Sequence, residues 1–143
     1  MTTIAWDGAS LAADTLITTG GHRDGYAPKI ARIGDILVAA AGGTVHCQAF
    51  RRWIDTREGP CPLIGLSEDE RANGLIIPPT GPLTMWCSHG EWTFDPPGGI
   101  YALGSGSEYA LGAMSMGADA RTAVEIAMRH DTTSGGEITV LRR

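Results

Sequence analysis

The chain has little with which to build a metal or disulfide site. Its three cysteines, Cys47, Cys61 and Cys87, form an odd set with no Cys-x-x-Cys pair. That removes a disulfide framework and the spacing of a zinc site. The four histidines, His22, His46, His89 and His130, include no i, i+4 pair that would share a helix face. His46 and Cys47 are sequence neighbours, and adjacent residues of a regular strand or helix do not point into one site, so a cysteine-protease dyad fits poorly. No metal or cofactor is expected. No apolar run approaches the ~20 residues of a membrane span, and the N-terminus lacks the charged and apolar regions of a signal peptide, so a cytoplasmic chain is expected. Basic excess is missing too. A formal net charge of -5 and a pI near 5.2 argue against nucleic acid or an anionic membrane as the main partner, and Arg51-Arg52 and Arg142-Arg143 are isolated doublets. Lysine is almost absent: Lys29 is the only one, every other basic residue being arginine. Lysine, unlike arginine, moves toward a neutral pKa when desolvated, so a lone lysine among Ala27, Pro28, Ile30 and Ala31 is either edge-strand decoration or a functional group.

What is present is a length of 143 residues, 43% hydrophobic and 19% charged, which predicts one globular domain over residues 1–143 with a sizeable core. The 20 glycines cluster at turn-like points, not in a low-complexity tract. Thr3 to Trp6 and Leu11 to Leu16 read as β-like runs separated by Asp7-Gly8, a hairpin signal; Lys29 to Ile33 and Ile36 to Ala41 form a second pair around Gly34-Asp35. Thr44 to Asp55 has helical spacing with Thr44 as an N-cap candidate. From Glu58 to Asn73 a loop is expected, with at most a short helix at Ser67 to Ala72. Gly74 to Ile77, Leu83 to Cys87, Trp92 to Phe94 and Ile100 to Leu103 look like short strands. Tyr109 to Met116 has helical composition, and Asp119 can cap a further helix through Met128 whose Ala120, Val124, Ala127 and Met128 build one apolar face. A final strand follows at Ile138 to Leu141. Strands on either side of grouped helices predict antiparallel sheets covered by helices, not βαβ units.

The first residues carry the chemistry. Trimming of Met1 ahead of a small residue would leave Thr2 with a hydroxyl nucleophile and its own α-amine, of pKa roughly 7.7–8.0. Many proteins begin Met-Thr without being enzymes, so the rest of the chain must supply the supports: a cation, an acid to orient it, and backbone N–H donors for an oxyanion. Lys29, Asp14 and Gly42-Gly43 stand at the ends of expected strands in positions to do so.

Thr2-Thr3-Ile4, Ala12-Ala13-Asp14, Lys29-Ile30, Ala41-Gly42-Gly43, Gly104-Ser105-Gly106-Ser107-Glu108-Tyr109-Ala110 and Asp131-Thr132-Thr133-Ser134-Gly135-Gly136 occur in that order. This series resembles proteasome β subunits and the bacterial HslV peptidase, and the resemblance runs over essentially the whole chain. It implies an α+β fold, the four-layer αββα sandwich of two antiparallel sheets of N-terminal nucleophile (Ntn) hydrolases, in a short bacterial or phage-type member. It also implies a threonine-type endopeptidase acting on unfolded polypeptide inside a homo-oligomeric ring, with an ATP-driven unfoldase as a possible partner. By resemblance Thr2 is the nucleophile, tuned by Asp14 and Lys29. Gly42 donates to the oxyanion, and Ser105, Asp131 and Ser134 support the α-amine and hydroxyl. Ile17, Ala27, Ala31 and Ala40 surround the pocket for the residue before the scissile bond, whose alanines leave it roomy and apolar. Between Asp55 and Leu75 the chain is too short for the two long helices the resemblance calls for; Gly59 to Pro62 leaves room for one and a fragment, so the central helical region is shortened.

Two other readings compete. If Met1 stays on, Thr2 has an amide nitrogen and no base, and the chain is a latent or inactive structural or assembly subunit of the same fold. An Ntn amidohydrolase of small amides would want a narrower, more polar pocket.

Overall fold

The structure, a computed structural model, describes residues 1–143. Asp7-Gly8 folds back β1 (Ile4–Trp6) onto β2 (Ser10–Ala13). The Asp7 carboxylate accepts the Ala9 and Ser10 N–H groups at 2.9 and 2.7 Å, the Asx-turn chemistry that makes this dipeptide a hairpin signal. β10 (Tyr101–Leu103) and β11 (Thr139–Arg142) flank that pair, giving an antiparallel sheet in the order β10-β1-β2-β11. A second antiparallel sheet is a meander of β5 (Ile30–Ile33), β6 (Ile36–Gly42), β7 (Ala72–Ile77), β8 (Leu83–Cys87) and β9 (Gly90–Phe94). The helices are α1 (Thr44–Thr56), α2 (Ser107–Ser115) and α3 (Ala120–His130).

Strand alternation assigns each side chain a layer. Ile4, Trp6, Leu11 and Ala13 of the first sheet pack against Leu37, Ala39, Ala41, Leu75 and Ile77 of the second. On the outer face of the first sheet, Ala5 and Ala12 meet Ala110 and Met114 of α2 and Ala123, Val124 and Ala127 of α3. Beyond the second sheet, Val38, Ala40, Ala72 and Ile76 meet Cys47, Phe50 and Ile54 of α1. The result is a four-layer αββα sandwich, with each fully buried large apolar side chain contributing roughly 1.5–3 kcal/mol relative to exposure. The alanines of β1, β2 and β6 let the layers approach closely.

Several local expectations change. The run Leu11 to Leu16 is broken at Asp14-Thr15, because the Thr15 and Leu16 N–H groups both turn to the Gly135 carbonyl at 3.1 and 3.0 Å. The chain then enters a separate two-stranded hairpin, β3 (Leu16–Thr19) with β4 (His22–Tyr26), which the sequence reading passed over. Gly43, not Thr44, is the N-cap of α1; it offers no side chain, and Thr44 is already helical. Residues 57–71 contain turns and no helix, so α1 is the one helix over the second sheet, with Cys61 and Leu63 of the following segment packed beside it, consistent with a shortened central region. The cap expected at Asp119 is present, its carboxylate accepting the Thr122 N–H at 2.8 Å.

Candidate active site

Thr2 and Thr3 enter β1 at the point where five segments converge: the end of β2, the residues before β5, the end of β6, the β10–α2 turn and the loop after α3. Asp14, fully buried just past β2, anchors one side. One carboxylate oxygen accepts the Thr3 N–H at 2.9 Å and the Lys29 ammonium at 2.8 Å; the other accepts the Gly135 N–H at 2.9 Å. Both oxygens of this buried carboxylate therefore have hydrogen-bond donors, as a buried polar group requires. Lys29 is itself only 4% exposed, and its ammonium makes a second hydrogen bond at 2.8 Å to the Met1 carbonyl. Burial lowers the Lys29 pKa, and the charge and hydrogen bond of Asp14 oppose that shift. The Thr2 hydroxyl donates to the same Met1 carbonyl oxygen. Lysine ammonium and threonine hydroxyl are thereby held on one atom.

On the other side, the Thr2 N–H donates to Ser105 Oγ at 3.1 Å, and the Ser105 hydroxyl donates to Asp131 at 2.6 Å. The Ser134 hydroxyl donates to the same Asp131 oxygen at 2.5 Å and lies 2.7 Å from Thr3 Oγ1. Thr133 completes the shell, giving its N–H and hydroxyl to the second Asp131 oxygen at 3.2 and 2.9 Å. Burial pushes the Asp131 carboxyl up, but the donors Ser105, Ser134 and Thr133 together outweigh it and hold the group below its usual range. The Met1 amine donates to the Thr133 carbonyl at 2.7 Å and to Thr18 Oγ1 at 3.2 Å; burial and then the Lys29 charge lower its pKa. Gly104 makes the crowding possible. Its φ is +97°, and a Cβ there would fall 2.1 Å from the Thr2 carbonyl oxygen.

A cavity of about 660 Å³ opens beside Thr2. Thr2, Lys29 and Gly42 line it, as do Ile17, Ala27 and Ala40. Ala31 does not; it sits in β5 opposite Val38, outside the cavity wall. Gly42 ends β6 with φ +127°, and a Cβ on it would collide with the Arg71 carbonyl oxygen at 2.5 Å. Ser105, Asp131 and Ser134 lie behind Thr2, away from the cavity wall. Sequence reading missed Thr133, although its place two residues after an Asp is an Asx-turn signal. It also missed the wall that α1 supplies, in which Thr44, Cys47, Gln48 and Arg51 follow one helical face and Val45 and His46 of the first turn stand beside them. Burial raises the Cys47 thiol pKa to about 11, so it is a neutral wall group.

The chain is similar over nearly its full length to solved structures. Thiobacillus denitrificans BPH aligns with a TM-score of 0.67 at 25% identity, over 99% of this chain and 96% of that one. The same protein in complex with epoxomicin gives 0.67 and 25%, over 99% and 97%. Eukaryotic HslV from Trypanosoma brucei gives a TM-score of 0.68 at 20% identity, over 99% of both chains. No protein-family model and no curated protein sequence matches. The fold is that of HslV-like, proteasome-type Ntn hydrolases, as the order of the motifs implied.

Proposed function

We propose that this chain is a threonine-type endopeptidase that hydrolyses peptide bonds of unfolded polypeptides, with Thr2 as the nucleophile once Met1 has been removed. The observation that carries the reading is the pair of supports on Thr2. Its backbone nitrogen donates to Ser105 Oγ, which donates to Asp131. Its hydroxyl and the Lys29 ammonium, itself held by Asp14, both meet the Met1 carbonyl oxygen, an atom that departs with Met1 and so leaves the two groups neighbours of one vacated position. Hydrolysis of the Met1–Thr2 bond turns that nitrogen into an α-amine, of ordinary pKa roughly 7.7–8.0, in place to act as a base near neutral pH.

The Thr2 Oγ then attacks the substrate carbonyl carbon, and its proton passes to the α-amine directly or through a water. Gly42, at the edge of the cavity, supplies the backbone N–H for the oxyanion; loss of such a donor costs ~10²–10³ in rate. Lys29 stabilises the developing charge near Thr2 Oγ. The protonated amine gives its proton to the leaving nitrogen as the C–N bond breaks, leaving an ester on Thr2. Water attacks that ester with the amine again as base, releasing the acid product and regenerating Thr2. Ser105, Asp131, Ser134 and Thr133 position the amine; Ile17, Ala27 and Ala40 leave room for a substrate side chain. The working form is a cytoplasmic homo-oligomeric ring, with an ATP-driven unfoldase as the feeding partner.

One observation favours a second reading. With Met1 attached, its amine is bonded to Thr133 and its carbonyl to Lys29, so the unprocessed terminus is well satisfied, and the Thr2 amide nitrogen has no lone pair to act as a base. That form is a latent or structural subunit. Peptide turnover before and after Met1 removal distinguishes the two. Activity only in the trimmed chain, abolished by Thr2→Ala, supports the peptidase; a trimmed chain that turns over no peptide favours the structural role.

A further inference from the structure

Two arginines without an ion-pair partner, Arg51 and the solvent-exposed Arg71, line the cavity beside Thr2. Arg51, two turns into α1, lines it and is only partly exposed. Its guanidinium has no carboxylate partner: the ion pairs are Lys29–Asp14 and Arg121–Glu125. The arginine side chains that make hydrogen bonds are Arg32, Arg121 and Arg143. Glu68 and Asp69 line the same cavity, but both are solvent-exposed and neither reaches Arg51. Removing a guanidinium partly from water without a partner is unfavourable, and such a group is a ready anchor for a carboxylate, which it can grip through two parallel N–H donors.

The placement along α1 matters as much as the charge. Thr44, Cys47, Gln48 and Arg51 all wall the cavity, so one helical face runs from the Gly42-Gly43 end, next to Thr2, down to Arg51. Arg51 is seven residues past Thr44, about 10 Å along the axis, and a long helical side chain leans back toward the N-terminus. Arg51 thus shares the cavity wall with the small residues Ala27 and Ala40, which leave space for a side chain entering from Thr2. Cys47, on the same helical face, feels both Lys29 and Arg51, and its burial keeps the thiol neutral, so it contributes no competing negative charge.

We infer that Arg51 is a specificity-determining residue and that the cavity takes an acidic side chain, glutamate above all, next to the bond held at Thr2. The alanines give the pocket its room, and Arg51 gives it its sign. The inference rests on the peptidase reading for the position of the scissile bond, but the binding preference can be measured without turnover. The full-length Thr2→Ala chain is titrated with fluorescent alanine hexapeptides that differ at one position: Glu, Gln, Leu or Lys. The Glu peptide is expected to bind at least about tenfold more tightly than the isosteric Gln peptide and the Leu peptide, the scale of a charge-assisted hydrogen bond. Arg51→Met removes that preference, Arg51→Lys keeps its direction, and Arg51→Glu transfers it to the Lys peptide. Equal binding of all four peptides, no binding of any, or a Glu preference that survives in Arg51→Met overturns the inference. Turnover of the same peptides by the Met1-free chain then separates the two claims. Glu-selective binding without turnover upholds the pocket and removes the peptidase. Turnover with Leu favoured upholds the peptidase and removes the pocket's acidic preference.

Discussion

Asp14 and Lys29 depend on each other because both are out of water. With Asp14 fully buried and Lys29 4% exposed, replacing one partner leaves the other's charge uncompensated, a loss of about 3–5 kcal/mol for a buried pair. Lys29→Met should therefore lower stability by that order in denaturant unfolding and also remove peptide turnover. A neutral effect on stability would mean that the Thr3 and Gly135 N–H groups suffice to hold the carboxylate. Asp131 makes a pH-dependent contribution of known sign. Its folded-state pKa lies below the ordinary 3.8, so it contributes stability that is fully present above pH 3.8 and is lost as pH falls below that value toward the lowered folded pKa. Asp131→Asn should flatten this acid limb of the stability profile; an unchanged slope would place the titration elsewhere. At Thr2 itself, which is 4% exposed and contributes little to the core, Thr2→Ala should abolish turnover while leaving the unfolding midpoint close to that of the parent.

At the scale of elements, the β10–α2 turn holds Thr2 from behind. Gly104→Ala would add a methyl 2.1 Å from the Thr2 carbonyl oxygen at a φ of +97°, so the turn or Thr2 must move. Destabilisation of more than 1 kcal/mol, about the least such an incompatible site shows, is expected together with lost turnover. A variant as stable and active as the parent would contradict the close approach. How well elements could be read from sequence follows from what fixes them. The hairpins at Asp7-Gly8 and Gly34-Asp35 and the cap at Asp119 are set by local hydrogen bonds and glycine geometry, so their residues announce them. The β3–β4 hairpin did not announce itself beyond Gly20-Gly21: His22, Arg23, Asp24 and Tyr26 are mostly solvent-exposed and present no apolar alternation. The β-run from Leu11 to Leu16 failed as one strand because the Gly135 carbonyl, more than a hundred residues away, captures the Thr15 and Leu16 N–H groups. The same holds within the site. Asp14, Lys29, Ser105, Asp131 and Ser134 could be named from motif order, and Thr133 carries a local Asx-turn signal two residues past Asp131, whereas Arg51 becomes visible only where separate elements converge on the cavity.

For the whole molecule, no helix is long and apolar enough to cross a membrane. On and just beyond α2, Tyr109, Leu111 and Met116 are 45%, 41% and 89% exposed, apolar surface of the kind subunit contacts cover. A ring of identical chains predicts a sedimenting mass that is a large multiple of 15.0 kDa at micromolar concentration, and a 15.0 kDa species would contradict the ring. The central claim, however, turns on one peptide bond and is tested by the intact mass of the chain before and after incubation with epoxomicin. The account predicts a chain lacking Met1 that gains one inhibitor mass on Thr2, with no gain in Thr2→Ala. A Met1-free chain that remains unmodified would contradict it.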